Sequence, residues 1–277
     1  CHFNFNAFRE DWRDIVKQSF ERGVWMINVG SQASTSKRAV EMAQDFESGV
    51  YASVGLHPCH LYNVEVTEAE ESFQSRAEEF DASVYRKFLQ DNKVVAIGET
   101  GLDYHFAPEH ADLDEVKRKQ EQAFQAQLDL ADEFDKPVII HARDTYGEII
   151  NILKQYIDAG RLKKRGVAHC FLGNYAQAKD FIDIGCLISF TGIITFKPKK
   201  SQLARHADMM EVIKNIPLEK IMIETDAPYL TPEPYRGKRN LPWYVEEVGK
   251  KIAEIKKIDF EKVADVTTKT AREFFGI

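Results

Sequence analysis

The sequence predicts an α/β fold, namely a (β/α)8 TIM barrel whose first strand is largely missing from the N-terminus and which carries an extra C-terminal helix. Short apolar runs rich in β-branched residues alternate with longer segments of helical period, a pattern typical of βα units around a parallel sheet. The chain has 277 residues, a length typical of one such barrel. An open, doubly wound sheet is the alternative. Because the sequence contains no linker, repeat or low-complexity segment, we predict a single domain over residues 1–277.

Apolar runs of strand length define the parallel sheet. They lie at 24–29, 51–55, 94–98, 137–141, 166–169, 186–190 and 220–224. A helix predicted at 8–22 has no strand before it. We therefore expect a further strand that ends near Cys1 and brings the total to the eight that close a barrel.

Segments of helical period separate the strands. They lie at 8–22, 36–46, 116–134, 145–157, 175–184, 202–215, 243–255 and 260–275. The last helix follows no strand and is expected to close the fold. Two connections, at 59–85 and 104–115, are long, and we expect the second to lie over one mouth of the barrel.

Composition excludes several classes of protein. Hydrophobic residues make up 44% of the chain and charged residues 29%, which excludes disorder. No apolar run reaches the roughly 18 residues of a membrane span, and no signal peptide opens the chain. Four cysteines without CxxC spacing indicate a reducing cytoplasm. A net charge of −7 excludes a generally basic, DNA-coating protein, so a nucleic-acid partner requires a local site.

Polar side chains stand at the C-terminal ends of the predicted strands. They are His2, His57, Glu99, His141, His169 and Asp226. Parallel strands of a barrel end at one mouth, so these side chains are expected to converge. Several imidazoles and two carboxylates in one pocket suit a pair of divalent cations. A satisfied or surface residue is the alternative for any single histidine. For His141 and His169, which follow apolar runs directly, an unpartnered polar group would be costly, and this favours metal binding.

Longer motifs around these residues resemble those of the TatD family of metal-dependent deoxyribonucleases. The motifs are Gly55-Leu56-His57-Pro58, Gly98-Glu99-Thr100-Gly101-Leu102-Asp103, His141-Ala142-Arg143-Asp144, His169-Cys170-Phe171-Leu172-Gly173, Glu224-Thr225-Asp226-Ala227-Pro228-Tyr229-Leu230 and Arg236-Gly237-Lys238-Arg239-Asn240. The resemblance extends from residue 2 to Phe275-Gly276. It implies a TIM barrel of the metal-dependent hydrolase superfamily that hydrolyses phosphodiesters, often in a 3′→5′ direction.

The resemblance also implies two divalent metal ions. Glu99 is the implied bridging carboxylate, and His141 and His169 are the implied imidazole ligands of the second metal. Two cations roughly 3.5–4 Å apart lower the pKa of a water and clamp phosphate oxygens. Gly98 lets backbone and metal approach closely beside Glu99. The identity of the metal stays open among Mg²⁺, Mn²⁺ and Zn²⁺.

The first metal is implied to bind His2 and Asp226. The family opens with a His-x-His pair, of which His2 is the second member, so we expect a histidine directly before Cys1. Asp226 stands where the family places the base that activates water, and its alternative role is a helix N-cap. The resemblance implies that His57 faces the substrate near the metals. Glu224, two residues before Asp226, is a weaker candidate to support the site.

Basic residues follow two of the predicted strands. Lys197, Lys199 and Lys200 follow the strand at 186–190, and Arg236, Lys238 and Arg239 follow the strand at 220–224. Both loops lie at the predicted mouth, where positive charge would hold a phosphate chain. Arg143 is a further candidate because a guanidinium grips oxygens bidentately, although a salt bridge with a neighbouring acid is equally consistent with its position.

Aromatic residues near the strand ends offer surfaces for stacking of unpaired bases. They are Tyr104, Phe171, Phe196 and Tyr229. Core packing is the alternative for each of them.

The function predicted from the sequence is metal-dependent 3′→5′ exonuclease activity on single-stranded or frayed DNA ends, in repair or nucleic-acid turnover. We expect a monomer with DNA as its substrate, no membrane partner and no organic cofactor. Hydrolysis of another ester, such as deacylation of aminoacyl-tRNA, or of a small amide or ester is an alternative at the same site. A barrel that binds metal or nucleic acid without turnover is a third possibility.

Overall fold

The computed structural model describes residues 1–67, 72–75 and 77–277, and one curled sheet forms its centre. The strands, in chain order, are β1 Met26–Val29, β2 Val50–Val54, β3 Glu65–Thr67, β4 Ser72–Gln74, β5 Val94–Asp103, β6 Val138–Arg143, β7 Gly166–Ala168, β8 Leu187–Phe190 and β9 Ile221–Ile223. Seven of them pair in the order β1-β2-β5-β6-β7-β8-β9, and all of these pairs are parallel. The seven strands predicted from the sequence are thereby confirmed, and β3 and β4 form a separate antiparallel pair.

Helices surround this sheet. They are α1 Trp12–Glu21, α2 Ala33–Gln44, α3 Ala82–Leu89, α4 Leu113–Glu133, α5 Tyr146–Asp158, α6 Tyr175–Asp183, α7 Leu203–Asn215, α8 Val245–Lys256 and α9 Phe260–Phe275. All eight predicted helices are present, with ends shifted by a few residues. Among the described helices, none has both the length and the apolar character that crossing a bilayer requires.

The connection at 59–85 contains structure that the sequence did not predict. The hairpin of β3 and β4 and the first part of α3 lie within it, and its residues 68–71 and 76 lie outside the described part of the chain. α3 begins at a local cap, because the side chain of Asp81 accepts a hydrogen bond from the Ser83 N–H at 2.8 Å. Eight residues are too few for a clear helical period, which is why this helix escaped prediction.

Strand β5 is longer than predicted and carries the candidate site. The apolar run ends at Gly98, but pairing with β6 continues through Gly101–His141 to Asp103–Arg143. The register shifts between Ile97 and Thr100, around Glu99. Polar residues of this segment are therefore held in the sheet by backbone pairing with β6.

The lumen of the barrel is apolar and is closed at one end by the C-terminal helix. One residue from each of six strands forms a buried cluster: Val29, Ala96, Ile139, Val167, Leu187 and Met222. Ala271, Phe274 and Phe275 of α9 pack against this cluster. These contacts confirm that the last helix closes the fold, and they leave the opposite, C-terminal mouth for polar groups.

Residues 1 and 2 lie between β1 and the chain that follows β9. The Val29 N–H donates to the carbonyl oxygen of Cys1 at 2.9 Å, and the His2 N–H donates to the carbonyl oxygen of Ala227 at 2.8 Å. Cys1 and His2 thus occupy the position at which the C-terminal end of an eighth strand was predicted. Beside them, a cleft of about 470 Å³ extends between β1 and β9 toward α9.

Gly55, directly after β2, tests how closely the backbones of β2 and β5 must approach each other. A Cβ there would lie 2.7 Å from the carbonyl carbon of Gly98 and 3.0 Å from the backbone oxygen of Glu99. Because backbone atoms cannot move aside as a flexible side chain does, Gly55→Ala is expected to lower the free energy of unfolding by about 1–3 kcal/mol. Chemical denaturation of both proteins measures this difference.

Gly147 in α5 provides the matched control. A Cβ at Gly147 meets no atom within 4 Å, so Gly147→Ala is expected to leave the free energy of unfolding unchanged or to raise it by up to ~1 kcal/mol. Equal losses in the two variants would show that the approach of β2 to β5 is not tightly constrained.

Candidate metal centre

The carboxylate of Glu99 lies among four imidazoles. Its Oε1 is 2.9 Å from Nδ1 of His141 and 3.7 Å from Nε2 of His169. The same oxygen is 3.8 Å from Nε2 of His57, whereas Oε2 is 3.9 Å from Nε2 of His2. Although burial alone raises the pKa of Glu99, the charge of His169 and the hydrogen bond from His141 lower it well below its usual range. An ionised carboxylate therefore stands at the centre of the site, with its two oxygens facing different imidazoles.

Asp226 supplies a second carboxylate on the His2 side. Its Oδ1 is 3.2 Å from Nε2 of His2 and 3.9 Å from Nε2 of His169. Burial raises the pKa of Asp226, but the hydrogen bond from His2 and the charge of His169 lower it overall. Asp226 is therefore ionised at neutral pH.

The parallel sheet explains why these residues meet. Glu99 lies on β5 and His141 on β6, whereas His169 directly follows β7 and Asp226 lies three residues beyond the end of β9. The C-terminal ends of all these strands point to the same mouth. The structure therefore brings together all five residues that the sequence proposed as metal ligands, and His57 lies beside them.

Three of the imidazoles are held by an acceptor on the nitrogen that points away from Glu99. Nδ1 of His2 is 2.9 Å from the carbonyl oxygen of Val29. Nε2 of His141 is 2.9 Å from Oδ2 of Asp103, and Nδ1 of His169 is 2.8 Å from Oε1 of Glu224. Carbonyl and ionised carboxylate oxygens only accept, so these outer nitrogens carry hydrogen. In each neutral ring the lone pair then faces Glu99, as a metal ligand requires.

The hydrogen bond that holds His57 runs in the opposite direction, because the ring accepts it. The Cys59 N–H donates to Nδ1 of His57 at 3.2 Å, so Nδ1 is an acceptor and Nε2 carries the hydrogen. Burial and the neighbouring His141 lower the pKa of His57 to about 3, which keeps the ring neutral. Ligand atoms of His57, Glu99 and His141 lie within 4.8 Å of one another. Distance alone would therefore make His57 a ligand, but its hydrogen bonds make it a donor to the pocket.

The donor set fits a divalent cation. Burial lowers the pKa of His141, but hydrogen bonds to Asp103 and Glu99 outweigh it and raise the pKa to about 9. Burial also lowers the pKa of His169, whereas Glu224 and Glu99 raise it to about 10. The carboxylates thus favour positive charge on the neighbouring imidazoles. A divalent cation bound by imidazole nitrogen and carboxylate oxygen would provide that positive charge in place of the protons.

A pocket of about 220 Å³ opens from these residues into the mouth. Arg143 lines it, with its Nε 3.7 Å from Oδ2 of Asp103 and its guanidinium 5.0 Å from the centre of the Phe106 ring. Arg143 therefore lies beside an acid, as the salt-bridge alternative predicted, and it also lines the pocket. Phe5 and Ile193 line the walls as well.

Several residues of this site received no role from the sequence analysis, Asp103, Phe5 and Phe106 among them. Asp103 lies on the same strand as Glu99, four residues further on, and that spacing was the available signal. Phe106 lies in the long connection at 104–115, which was expected at the mouth. Nothing in the local sequence around Phe5 indicates that its ring stacks on His2, with ring centres 4.5 Å apart.

The predicted basic residues lie on exposed loops after β8 and β9. Lys197, Lys199, Arg236, Lys238 and Arg239 are all exposed. The guanidinium of Arg236 lies 3.9 Å from the centre of the Phe196 ring, which joins the two loops. Arg239 is engaged with Asp11 at 2.5 Å and covers the ring of Phe8.

Of the four aromatic residues proposed for base stacking, Tyr229 lines the pocket. One face of Phe196 carries Arg236, and Lys117 lies 5.5 Å from the ring centre of Tyr104. The prediction that Phe171 stacks on a base is wrong, because its side chain is fully buried and its ring packs against Tyr146 and Phe181. A residue without exposed surface cannot stack on a base.

The raised pKa values predict how the stability of the metal-free protein depends on pH. For a group with a raised pKa, the stabilisation is complete below the unfolded value of about 6.5 and is lost as pH rises through the folded value. For His169 that folded value is about 10. The stability difference between the chelator-treated protein and His169→Gln is therefore expected to be largest near pH 6 and to shrink toward about pH 10.5.

Denaturant titrations of both proteins at several pH values measure this difference. His206→Gln, a substitution in α7 away from the site, controls for general effects of pH. A difference that grows with pH would contradict the ion pairs of His169 described above.

Comparison with known proteins identifies one family. The family model described as TatD related DNase matches residues 1–276. The metal-dependent hydrolase YabD of Bacillus subtilis is 35% identical over 278 residues, which cover 100% of this chain and 97% of that protein. The 3′-5′ ssDNA/RNA exonuclease TatD of Erwinia amylovora is 30% identical over 278 residues, covering 98% of this chain and 95% of that protein.

A solved structure has the same fold. The TatD homologue YJJV of Escherichia coli superposes with a TM-score of 0.82 and is 28% identical, covering 100% of this chain and 96% of that chain. The curled parallel sheet with its surrounding helices is thus the TIM-barrel fold that the sequence predicted. With a family model that spans nearly the whole chain, this chain belongs to the TatD family of metal-dependent hydrolases.

Proposed function

We propose that this chain is a nuclease that hydrolyses phosphodiester bonds of DNA, from the 3′ end of single-stranded or frayed substrates. The observation that carries the proposal is the position of Glu99. One of its oxygens faces His141 and His169, and the other faces His2. A carboxylate that divides a set of imidazoles in this way suits a two-metal site, the arrangement used by many phosphodiesterases. The Erwinia amylovora relative, named a 3′-5′ ssDNA/RNA exonuclease, supports the same substrate class.

Two groups of residues would hold the metals. His2, Asp226 and Oε2 of Glu99 form one group, and His141, His169 and Oε1 of Glu99 form the other. Divalent cations in these positions supply Lewis-acid stabilisation of the negative charge that develops during phosphodiester hydrolysis.

Three residues of the chain would accept the proton and bind the phosphate. Asp226 is ionised, so its carboxylate accepts a proton from the attacking water. The Nε2–H of neutral His57 points toward Glu99 and donates a hydrogen bond to a phosphate oxygen. Arg143, in the pocket wall, adds a charged donor for a second oxygen.

The dimensions and walls of the pocket support a single strand as the substrate. A volume of about 220 Å³ admits part of one nucleotide but not a base pair with its stack. Phe106, Leu172 and Ile193 offer apolar surface for a sugar or base next to the charged centre. A duplex would have to fray before its phosphate reached Glu99.

We also propose that the protein is a cytoplasmic monomer. All four cysteines are free thiols, which supports a reducing compartment. Size-exclusion chromatography with light scattering measures the oligomeric state, and a stable dimer would contradict the proposal.

Single-stranded DNA labelled at its 5′ end tests the reaction. With Mg²⁺, Mn²⁺ or Zn²⁺, we expect a ladder of products that shortens from the 3′ end, and a blocked 3′ end should stop it. Asp226→Asn is expected to lower kcat by about 10²–10⁴-fold, because the amide cannot accept the proton. Gel analysis of timed samples measures both results.

Asp208→Asn in α7, a residue that does not line the pocket, is the matched control and should keep full activity. If no metal supports cleavage of DNA, the nuclease proposal fails. Cleavage of an aminoacyl-tRNA or a small ester by the same preparation would then identify the alternative chemistry.

The exposed lysines after β8 predict a salt-dependent contribution to substrate binding. Reversing Lys197 and Lys199 to Glu removes positive charge at the mouth, so KM for single-stranded DNA should rise about three- to tenfold at about 50 mM salt. The effect should shrink at about 200 mM salt, while kcat changes little. Steady-state kinetics at both salt concentrations measure it.

Lys163 and Lys164, exposed before β7 on the opposite rim, provide the control, and reversing both to Glu should leave KM unchanged. Equal changes in the two proteins would mean that net charge, and not the charge at the mouth, governs binding.

A further inference from the structure

Two carboxylates outside the proposed ligand set hold the imidazoles of His141 and His169. Oδ2 of Asp103 lies 2.9 Å from Nε2 of His141. Oε1 of Glu224 lies 2.8 Å from Nδ1 of His169. The two anchors engage different ring atoms, so the nitrogens that face Glu99 also differ: Nδ1 in His141 and Nε2 in His169.

We propose that Asp103 and Glu224 are positioning residues that select which nitrogen of each imidazole is available to a divalent cation. This inference rests on the proposed metal site but not on the identity of the substrate. A histidine ring whose outer nitrogen donates to a carboxylate keeps one tautomer and one orientation, and the carboxylate also makes the ring a stronger electron donor.

Asp103 is itself rigidly held. Its side chain is fully buried, and its backbone exchanges two hydrogen bonds of 2.7 Å with the side-chain amide of Gln120. Each carboxylate oxygen has its own donor: Oδ1 accepts from the His105 N–H at 2.9 Å, and Oδ2 faces His141. Both oxygens are therefore needed.

Glu224 uses its oxygens differently. Oε1 alone accepts from Nδ1 of His169 at 2.8 Å and from the Cys170 N–H at 3.0 Å. A single oxygen atom thus satisfies both donors. Its side chain is about a quarter exposed, at 25%, so a change there is tolerated more easily than at Asp103.

This difference in oxygen use predicts different effects of the two amide substitutions. Asn at position 103 has only one oxygen, so its NH₂ group must face either His105 N–H or His141 Nε2–H. Facing His141, it favours the tautomer with hydrogen on Nδ1, the nitrogen that the cation requires. Gln at position 224 can keep its one oxygen on both donors, so the change removes the charge and leaves these two hydrogen bonds in place.

Zn²⁺ binding to the chelator-treated chain, measured by competition with a chromophoric chelator and without any nucleic acid, tests the proposal. Asp103→Asn is expected to weaken Zn²⁺ binding about 10–100-fold, Glu224→Gln less than about tenfold, and Glu224→Leu again about 10–100-fold. Asp158→Asn and Glu219→Gln, which alter exposed carboxylates outside the site, are the matched controls and should bind Zn²⁺ as the unmodified chain does.

Nitrogen-15 NMR of the histidines in the Zn²⁺-loaded protein provides a readout that a merely structural role would not change. Hydrogen is expected on Nε2 of His141 and on Nδ1 of His169, with the His169 pattern kept in Glu224→Gln. Thermal unfolding of the metal-free variants separates misfolding from weakened Zn²⁺ binding. If Asp103→Asn does not fold, the comparison of Glu224→Gln with Glu224→Leu still tests the proposal.

Unchanged Zn²⁺ affinity in Asp103→Asn and Glu224→Leu would overturn the proposal, as would the opposite tautomers in the NMR spectrum. A loss in Glu224→Gln as large as that in Asp103→Asn would overturn the argument from oxygen use. Because these measurements need no DNA, the absence of nuclease activity would not decide them.

Discussion

The ionised carboxylate of Glu99, buried at the mouth of the barrel, is the constraint on which the rest of the site depends. A buried charge is costly unless opposite charge and hydrogen bonds surround it. Here the compensation comes from imidazoles carried by separate strand ends, including His141 and His169. The parallel sheet is what allows residues far apart in the chain to provide it, because its strands all end at one mouth.

One end of the barrel is apolar, and the other end, the mouth, is polar. The lumen is apolar through Ile139, Val167 and their neighbours, and Phe274 and Phe275 of α9 close it at the N-terminal end of the strands. A cleft between β1 and β9 also reaches Glu99 and His169 from the side of the barrel. Apolar packing directly beneath Glu99 strengthens the electrostatic interactions that hold its imidazole partners.

The direction of the hydrogen bonds distinguishes imidazoles that lie at the same distance from Glu99. His57 and His169 lie equally near Oε1 of Glu99, at 3.8 Å and 3.7 Å. Glu224 accepts from the outer nitrogen of His169, whereas the Cys59 N–H donates to that of His57. One ring therefore presents a lone pair and the other a hydrogen, which suits them to a cation and to a phosphate oxygen respectively.

The seven strands of the sheet, the C-terminal helix and the polar residues at the strand ends could all be predicted from the sequence, because apolar runs and their boundaries are local patterns. The sequence could not determine features that depend on partners distant in the chain. Phe171 is core because α5 and α6 cover it, and Arg239 is engaged because Asp11 lies beside it. Asp103 and Glu224 acquire their positions only when strands align, since no local pattern specifies which nitrogen of a distant imidazole a carboxylate will contact.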